Sequence, residues 1–502
     1  MLAALVIVVT ACAFDASANG RAPITPDRES AAANAFHILN AVHSAGRQWG
    51  AALNHNGFGF FPAVMPKGTL LYHGAPSWQD DDDDDDDDDE EEESHKTRAL
   101  RRNRNRRGYF HTYRANRDLK LLYIDGMAAA KSRFGPLDSQ DLVLRENKTG
   151  PFDDYMDEPG RARDICRFVA DVGMDGFVRV EIGFEVVYCD FFDSGLDLLT
   201  VTRSFMPHDT MTKVERILLY QMARAASREY DGLGAGRLRL DFSSMVSGFF
   251  FPINVSSTNP ARPDLVRLGA ASLDELVDVK RHLRQVCLQP RRFTVDWQGI
   301  VDALINRYAD RLAALASDKL SAEFFIGELE RATLVHVDAP ALPGDLQDRN
   351  RTAEAVDRCA QHHLLPALAH KASWSLADEL VYVAVEAVTH DVCQTLFESL
   401  SALQRSRAIG SVASRNDAID RSRRAFARLM DRLAWTEWKK PRRCPVDQVS
   451  FVAMYPFGND KDHWNPGCRS VEDLVGFNRH GYWDEDFLPA PGNDTDEELT
   501  EL

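Results

Sequence analysis

Beyond Pro207 the apolar residues of this chain stop alternating and begin to recur every third or fourth position. Six segments do so: "MTKVERILLYQMARAASREY", "LDELVDVKRHLRQVCL", "DWQGIVDALINRYADRLAALAS", "SAEFFIGELERA", "LADELVYVAVEAVTHDVCQTLFESLSAL" and "AIDRSRRAFARLMDRLAW". A period near 3.6 gathers apolar side chains into one stripe of a helix. The pattern therefore predicts an α-helical domain over residues 207–440. No internal period of solenoid length is visible. Residues 441–502, rich in Pro, Gly and Trp, read as an irregular cap with an acidic tail.

The half before Pro207 is patterned for strands. "TPDRESAAANAFHILNAVHSAGRQWGAAL" has a Thr-Pro start, acidic residues in its first turn and helical spacing, and predicts one helix leading into the strand "GTLLYHG". Further β-branched and aromatic runs follow in "GYFHTYRA", "LKLLYIDGMAAA", "FVRVEIGFEVVYCDF" and "LDLLTVTRSF". The first two, separated by "NRD", read as a hairpin or as neighbouring strands. "GRARDICRFVADVGM" predicts a helix with Ile165, Phe168 and Val169 on one face. The expectation is an α+β domain over residues 19–206. Set into it is a block of 14 acidic residues, Asp80 to Glu93, followed by the basic "HKTRALRRNRNRRG". So few apolar residues cannot form a core, and residues 79–107 read as a disordered insertion. Without that acidic block the net charge of −18 falls to −4. Charge thus points neither to nucleic acid nor to a generally acidic surface.

"MLAALVIVVTACAFDASANG" carries an apolar run followed by small residues at signal-peptidase spacing, so residues 1–18 read as a secretory signal peptide and the protein as secreted. A buried N-terminal strand is the rival reading. The run is short for a bilayer span, and no later segment reaches that length, so no membrane association is expected after cleavage. Sequons at Asn147, Asn254, Asn350 and Asn493 suit a secreted glycoprotein. Beyond Cys12 there are seven cysteines, an odd number that leaves one thiol over if the rest pair. Cys444 and Cys468 bracket an aromatic segment that a bridge would pin.

"VADVGMDGFVRVEIGFEVVYCDF" is a helix ending in Gly-x-Asp-Gly, a strand, a short turn, and Glu185 before apolar and aromatic residues. It resembles the last conserved block of ADP-ribosyltransferase-fold proteins, a superfamily that includes the poly(ADP-ribose) polymerases. "LLYHG" resembles the first strand of the polymerase-like branch, and the two motifs come in the family's order. The resemblance covers about 170 of the 502 residues. It implies an N-terminal mixed β-sheet domain of ADP-ribosyltransferase-like type, with NAD as substrate and an unidentified acceptor or protein partner. It also implies that Glu185 is the catalytic carboxylate and that His73 and Gly74 line the nucleotide pocket. The family's next-strand motif has no clear counterpart, so Tyr109 and Tyr113 are both candidates for stacking on nicotinamide. The layout also resembles uncharacterised secreted fungal proteins, a likeness that carries no activity.

The chemistry asks for these residue types. Cleaving the nicotinamide–ribose bond builds positive charge on the sugar carbon, so a fixed carboxylate stabilises it while neighbouring groups orient the ribose hydroxyls. Each residue has a structural rival. Strand alternation puts Glu185 on one face with Val187 and Cys189, where it either borders a cleft or pairs with an arginine. Glu181 competes for its role, and His73 can be a simple strand exit. The discriminating geometry is convergence: an enzyme needs His73, a tyrosine and Glu185 in one cleft. Otherwise the chain is an inactive binding or structural module. His362-His363 lacks a glutamate at metalloprotease spacing, and the Asp run offers no defined coordination shell, so no metal is expected. "GLGAG" lacks the strand and helix of a dinucleotide loop. The helical half reads as a scaffold or partner-binding domain.

Overall fold

The computed structural model describes residues 21–75, 108–132, 134–146, 157–181, 183–191, 195–203, 237–257, 259–338, 351–440, 444–453, 460–464 and 466–470. The expected signal peptide, the acidic and basic insertion, Cys12 and Met211–Tyr230 lie outside these residues.

The expected first helix is three: α1 (Arg28–Ala33), α2 (Ala35–Ser44) and α3 (Gln48–Leu53). Asp27 caps α1 by accepting from the Ser30 amide at 2.7 Å. The break after α1 is held by the Asn34 side-chain amide, which donates to the Ser30 and Phe249 carbonyls. The next break falls at Gly46, whose φ of 69° ends α2.

A ten-residue strand that the sequence reading passed over, β1 (Asn56–Met65), then crosses the middle of the molecule. After it come β2 (Leu70–Ala75), β3 (Tyr109–Ala115) and β4 (Leu119–Gly126). A π-helical segment (Ser139–Leu144) leads to α4 (Glu158–Asp171), followed by β5 (Gly176–Val180), β6 (Phe184–Tyr188), β7 (Leu196–Arg203), β8 (Arg239–Leu240) and β9 (Val246–Ser247).

The main sheet has the order β6-β5-β4-β1-β8, with β9 also on β1, and a second sheet has the order β2-β3-β7. All pairs are antiparallel except β4 with β5, which are parallel and joined through α4. β3 and β4, expected as a hairpin or as neighbouring strands, do not pair with each other. The short corner at residues 116–118 sends the two strands into different sheets. β1 lies so close to β4 that a Cβ on Gly57 would sit 2.3 Å from the Asp125 carbonyl carbon. Only glycine fits there.

The helical half follows the predicted periodicity: α5 (Leu273–Cys287), α6 (Trp297–Ala316), α7 (Ala322–Thr333), α8 (Arg351–His362), α9 (Leu376–Ile409), α10 (Val412–Leu433) and α11 (Thr436–Lys439). α9 is its axis and packs against α1, α2, α7, α8 and α10. Its N-terminus is tied to the strand-rich half by Asp378, wholly buried, which accepts from Ser243 Oγ at 2.7 Å and Trp297 Nε1 at 2.9 Å. One continuous core runs from Ile38 through Phe61 and Ile124 to Leu304, Val385 and Phe426. The strand-rich and helical halves therefore share one core.

The last described elements are β10 (Gln448–Phe451), α12 (Asp460–Trp464) and β11 (Gly467–Ser470). β10 and β11 pair, and the Cys444–Cys468 disulfide closes this cap. Cys166–Cys189 ties α4 to the end of β6, and Cys359–Cys393 ties α8 to α9. The thiol left over is Cys287, whose burial pushes its pKa up to about 12.

Candidate functional site

The sequence-predicted residues divide between two places. His73 and Gly74 lie on β2, opposite His111 and Phe110 of β3. Cross-strand partners share a face, so His73, His111 and Tyr113 point the same way. The His73 and Tyr113 rings meet Phe191, just beyond β6, with centroids 6.4 Å and 5.9 Å from it. His111, missed at sequence level although it sits in the quoted "GYFHTYRA", is buried, with its Nδ1 3.2 Å from the Tyr113 hydroxyl. Tyr109 lies one turn of the pleat further along, paired with Ala75 at the strand end.

Glu185 is not part of this group. It stands directly across from Arg179 on β5, whose Nε donates to its Oε2 at 2.7 Å. Strand alternation puts Glu185 on the face of β6 that carries Cys189, the side bridged to α4. Tyr188, the β6 residue that touches Phe191, is on the other face. The expected convergence of His73, a tyrosine and Glu185 in one cleft is therefore not what the chain builds. The arginine pair is.

Arg179 is itself only 3% exposed, and it also meets Glu158 of α4 and Gln140 of the π-helical segment. Burial works against its charge, and the Glu185 and Glu158 carboxylates outweigh that and raise its pKa. Glu158 accepts in turn from the wholly buried Arg161, which binds Asp141 with two nitrogens at 2.9 and 3.1 Å. Arg145 joins Asp141 to Asp164. Glu185 thus closes the edge of an ion-pair network that fastens α4 and the π-helical segment to β5 and β6. A carboxylate so placed neutralises a buried cation.

A different concavity lies in the helical half. Two cavities of about 580 and 590 Å³ share Asp357 and His390 and together form a groove along α9. Small side chains, among them Ala32, Ala35 and Ala360, floor one end. The α9 wall carries Glu386, His390, Gln394 and Glu398 at four-residue intervals, a single stripe of the helix. α8 supplies the opposite wall with Asp357, and the buried Cys359–Cys393 disulfide fixes the separation of the two helices. Four carboxylates, Asp357, Glu386, Asp391 and Glu398, line the groove with two arginines. One of these, Arg432, is taken up by Asp391 at 2.8 Å. The i, i+4 polar stripe was visible in "VEAVTHDVCQTLFESL", but a polar stripe on an amphipathic helix reads first as a solvated face.

Comparison with known proteins places the likeness over both halves. Residues 28–78 and 75–216 match the family model of the YPL277C N-terminal domain, a stretch that contains β1 to β7. The chain is 24% identical over 519 aligned positions to "Uncharacterized protein YOR389W" of Saccharomyces cerevisiae, which covers 84% of this chain and 82% of that protein. It is 32% identical over 216 positions to "Uncharacterized protein YPL277C" of the same yeast, covering 35% of this chain and 44% of that one. No solved structure matches, of the ADP-ribosyltransferase superfamily or any other. The fungal likeness is the one these comparisons support.

Proposed function

We propose that this chain is a secreted binding protein, that its recognition surface is the groove beside α9, and that the strand-rich half is its scaffold. The observation that carries the reading is the commitment of Glu185 to a buried guanidinium, on the face of β6 away from His73 and Tyr113. The three disulfides suit an oxidising compartment. The excess of carboxylates in the groove selects a partner segment bearing lysine or arginine, whose methylenes pack on the alanine floor while the charged head reaches Asp357, Glu386 or Glu398.

The test is a fluorescence-anisotropy titration of an arginine-rich peptide against its glutamate-rich counterpart, with the wild-type chain and with Asp357→Asn and Glu386→Gln. Binding restricted to the basic peptide, and weakened about tenfold by each variant as one charge-assisted contact is lost, supports the proposal. Equal binding of both peptides, or indifference to both substitutions, refutes it.

A second reading, NAD cleavage with His73 and Tyr113 at the nucleotide, draws on the gathering of those rings around Phe191. It requires Glu185 to leave Arg179, and nicotinamide release is its test.

A further inference from the structure

The cap meets the body through a pair of histidines. His463 of α12 lies tilted against His55, which precedes β1, with ring centroids 4.0 Å apart and 48° between the ring planes. Phe134 and Trp464 enclose the pair. Both imidazoles are buried. The tautomer of His55 follows from its neighbour. The Asn56 amide nitrogen donates to the Phe134 and Val266 carbonyls, so its oxygen is the atom facing His55 Nδ1 at 2.9 Å. Nδ1 therefore carries the hydrogen, and Nε2, buried and without a hydrogen-bond partner among the described residues, carries the lone pair.

Among the described residues, the charged groups around the pair are Arg262 and Asp264 from the loop before Leu265, Lys439 from α11, and Asp462 and Arg469 from the cap. Asp264 is already shared, accepting from Arg262 at 3.0 Å and from Lys439 at 2.7 Å. Asp462 is held by Arg469 at 2.5 Å within the cap. Arg262 also donates to the Trp464 carbonyl at 2.5 Å, which brings its guanidinium to the seam between cap and body. Among the described residues Asp264 and Asp462 are thus both engaged, and on the body side Arg262 and Lys439 outnumber Asp264. A proton added to either ring places a second positive charge in a desolvated, net-positive seam.

We propose that the cap is an acid-released clasp, in which protonation of the His55–His463 pair undocks α12 and the β10–β11 ladder from the body. The Cys444–Cys468 bridge keeps the freed hairpin closed. Burial lowers the pKa of His55 to about 4 and that of His463 well below its ordinary value. A lowered pKa means that the docked state binds fewer protons than the free one. Docking is therefore complete above the ordinary imidazole pKa and is lost as the pH falls toward 4.

Hydrogen exchange of the full chain, corrected for the intrinsic pH dependence of exchange, tests this at pH 7.5 and 4.5. The expected result is that protection of α12 and β11 amides falls at least tenfold at the lower pH while amides in the middle of α9 keep theirs. His463→Phe, which preserves ring packing without a titrating nitrogen, retains cap protection at both values. His55→Phe is the second variant should the first lose the cap at neutral pH. Protection that does not change between the two pH values overturns the proposal. So does a fall shared equally with α9, or an acid-induced loss that persists in both phenylalanine variants.

Discussion

If Glu185 serves Arg179 rather than a substrate, its removal has a stability signature that depends on Glu158. The Glu185 side chain is 49% exposed and contributes one 2.7 Å ion pair, and glutamine keeps an acceptor oxygen in place. Glu185→Gln should therefore cost only about 0.5–1 kcal/mol, the range of a solvent-screened pair. The Glu158 side chain is 21% exposed and bridges Arg179 and Arg161, both buried, so Glu158→Gln should cost about 2 kcal/mol. With both changed, Arg179 keeps only neutral acceptors, the introduced glutamine oxygens and the Gln140 oxygen at 3.3 Å, and no carboxylate. A buried guanidinium without a counter-charge costs about 3–5 kcal/mol, so the double variant should exceed the sum of the singles by roughly 1 kcal/mol. Adding Arg179→Met to the double variant should recover part of the loss, because it removes the stranded cation. Urea unfolding at pH 7, followed by far-UV circular dichroism, reads these differences as shifts in midpoint. Strict additivity, or a further loss on adding Arg179→Met, would refute the reasoning.

Three further outcomes are expected. Gly57→Ala forces a Cβ against the Asp125 carbonyl and the Gly126 nitrogen in the centre of the main sheet. It should lower stability by about 3 kcal/mol or more and show as aggregated or protease-sensitive protein. His43 is buried between Asp302, at 2.9 Å, and Glu437; burial opposes its proton, but the two carboxylates outweigh it and raise its pKa above 6.5. Its contribution is present below the ordinary imidazole pKa and fades as the pH rises through the raised value, so His43→Gln should be more destabilising at pH 6 than at pH 9 in the same urea assay. Replacing Cys359 and Cys393 by serine opens a 34-residue link between α8 and α9 and should cost about 2–4 kcal/mol, with enhanced proteolysis confined first to α8.

The helices were legible because burial imposes the same period on sequence and structure. "LDELVDVKRHLRQVCL" and "DWQGIVDALINRYADRLAALAS" become α5 and α6 almost residue for residue. Strands β2 to β7 were legible from their β-branched and aromatic runs, and the odd cysteine count correctly left one thiol over. β1 was not legible. Gly57, Gly59 and Pro62 depress any strand propensity, and what makes "NGFGFFPAVM" a strand is its position between β4 and β8, which only the tertiary fold supplies. The separation of β3 from β4 was hidden for a related reason, since a three-residue corner serves a hairpin and a change of sheet equally well. At the site, the alternation of "FEVVYCDF" correctly left Glu185 either in a cleft or on an arginine. Arg179 stands six residues earlier, but its place across from Glu185 depends on how β5 and β6 pair. The groove drew on α8 and α9, two helices whose facing stripes nothing in the local sequence relates.

Nicotinamide release from NAD by the purified full chain, run beside Glu185→Gln, bears most directly on the claim that Glu185 holds an arginine and the chain binds rather than cleaves. The account predicts no release above background from either protein. Turnover by the wild type that disappears in the variant would contradict it, and would return Glu185 to the reaction.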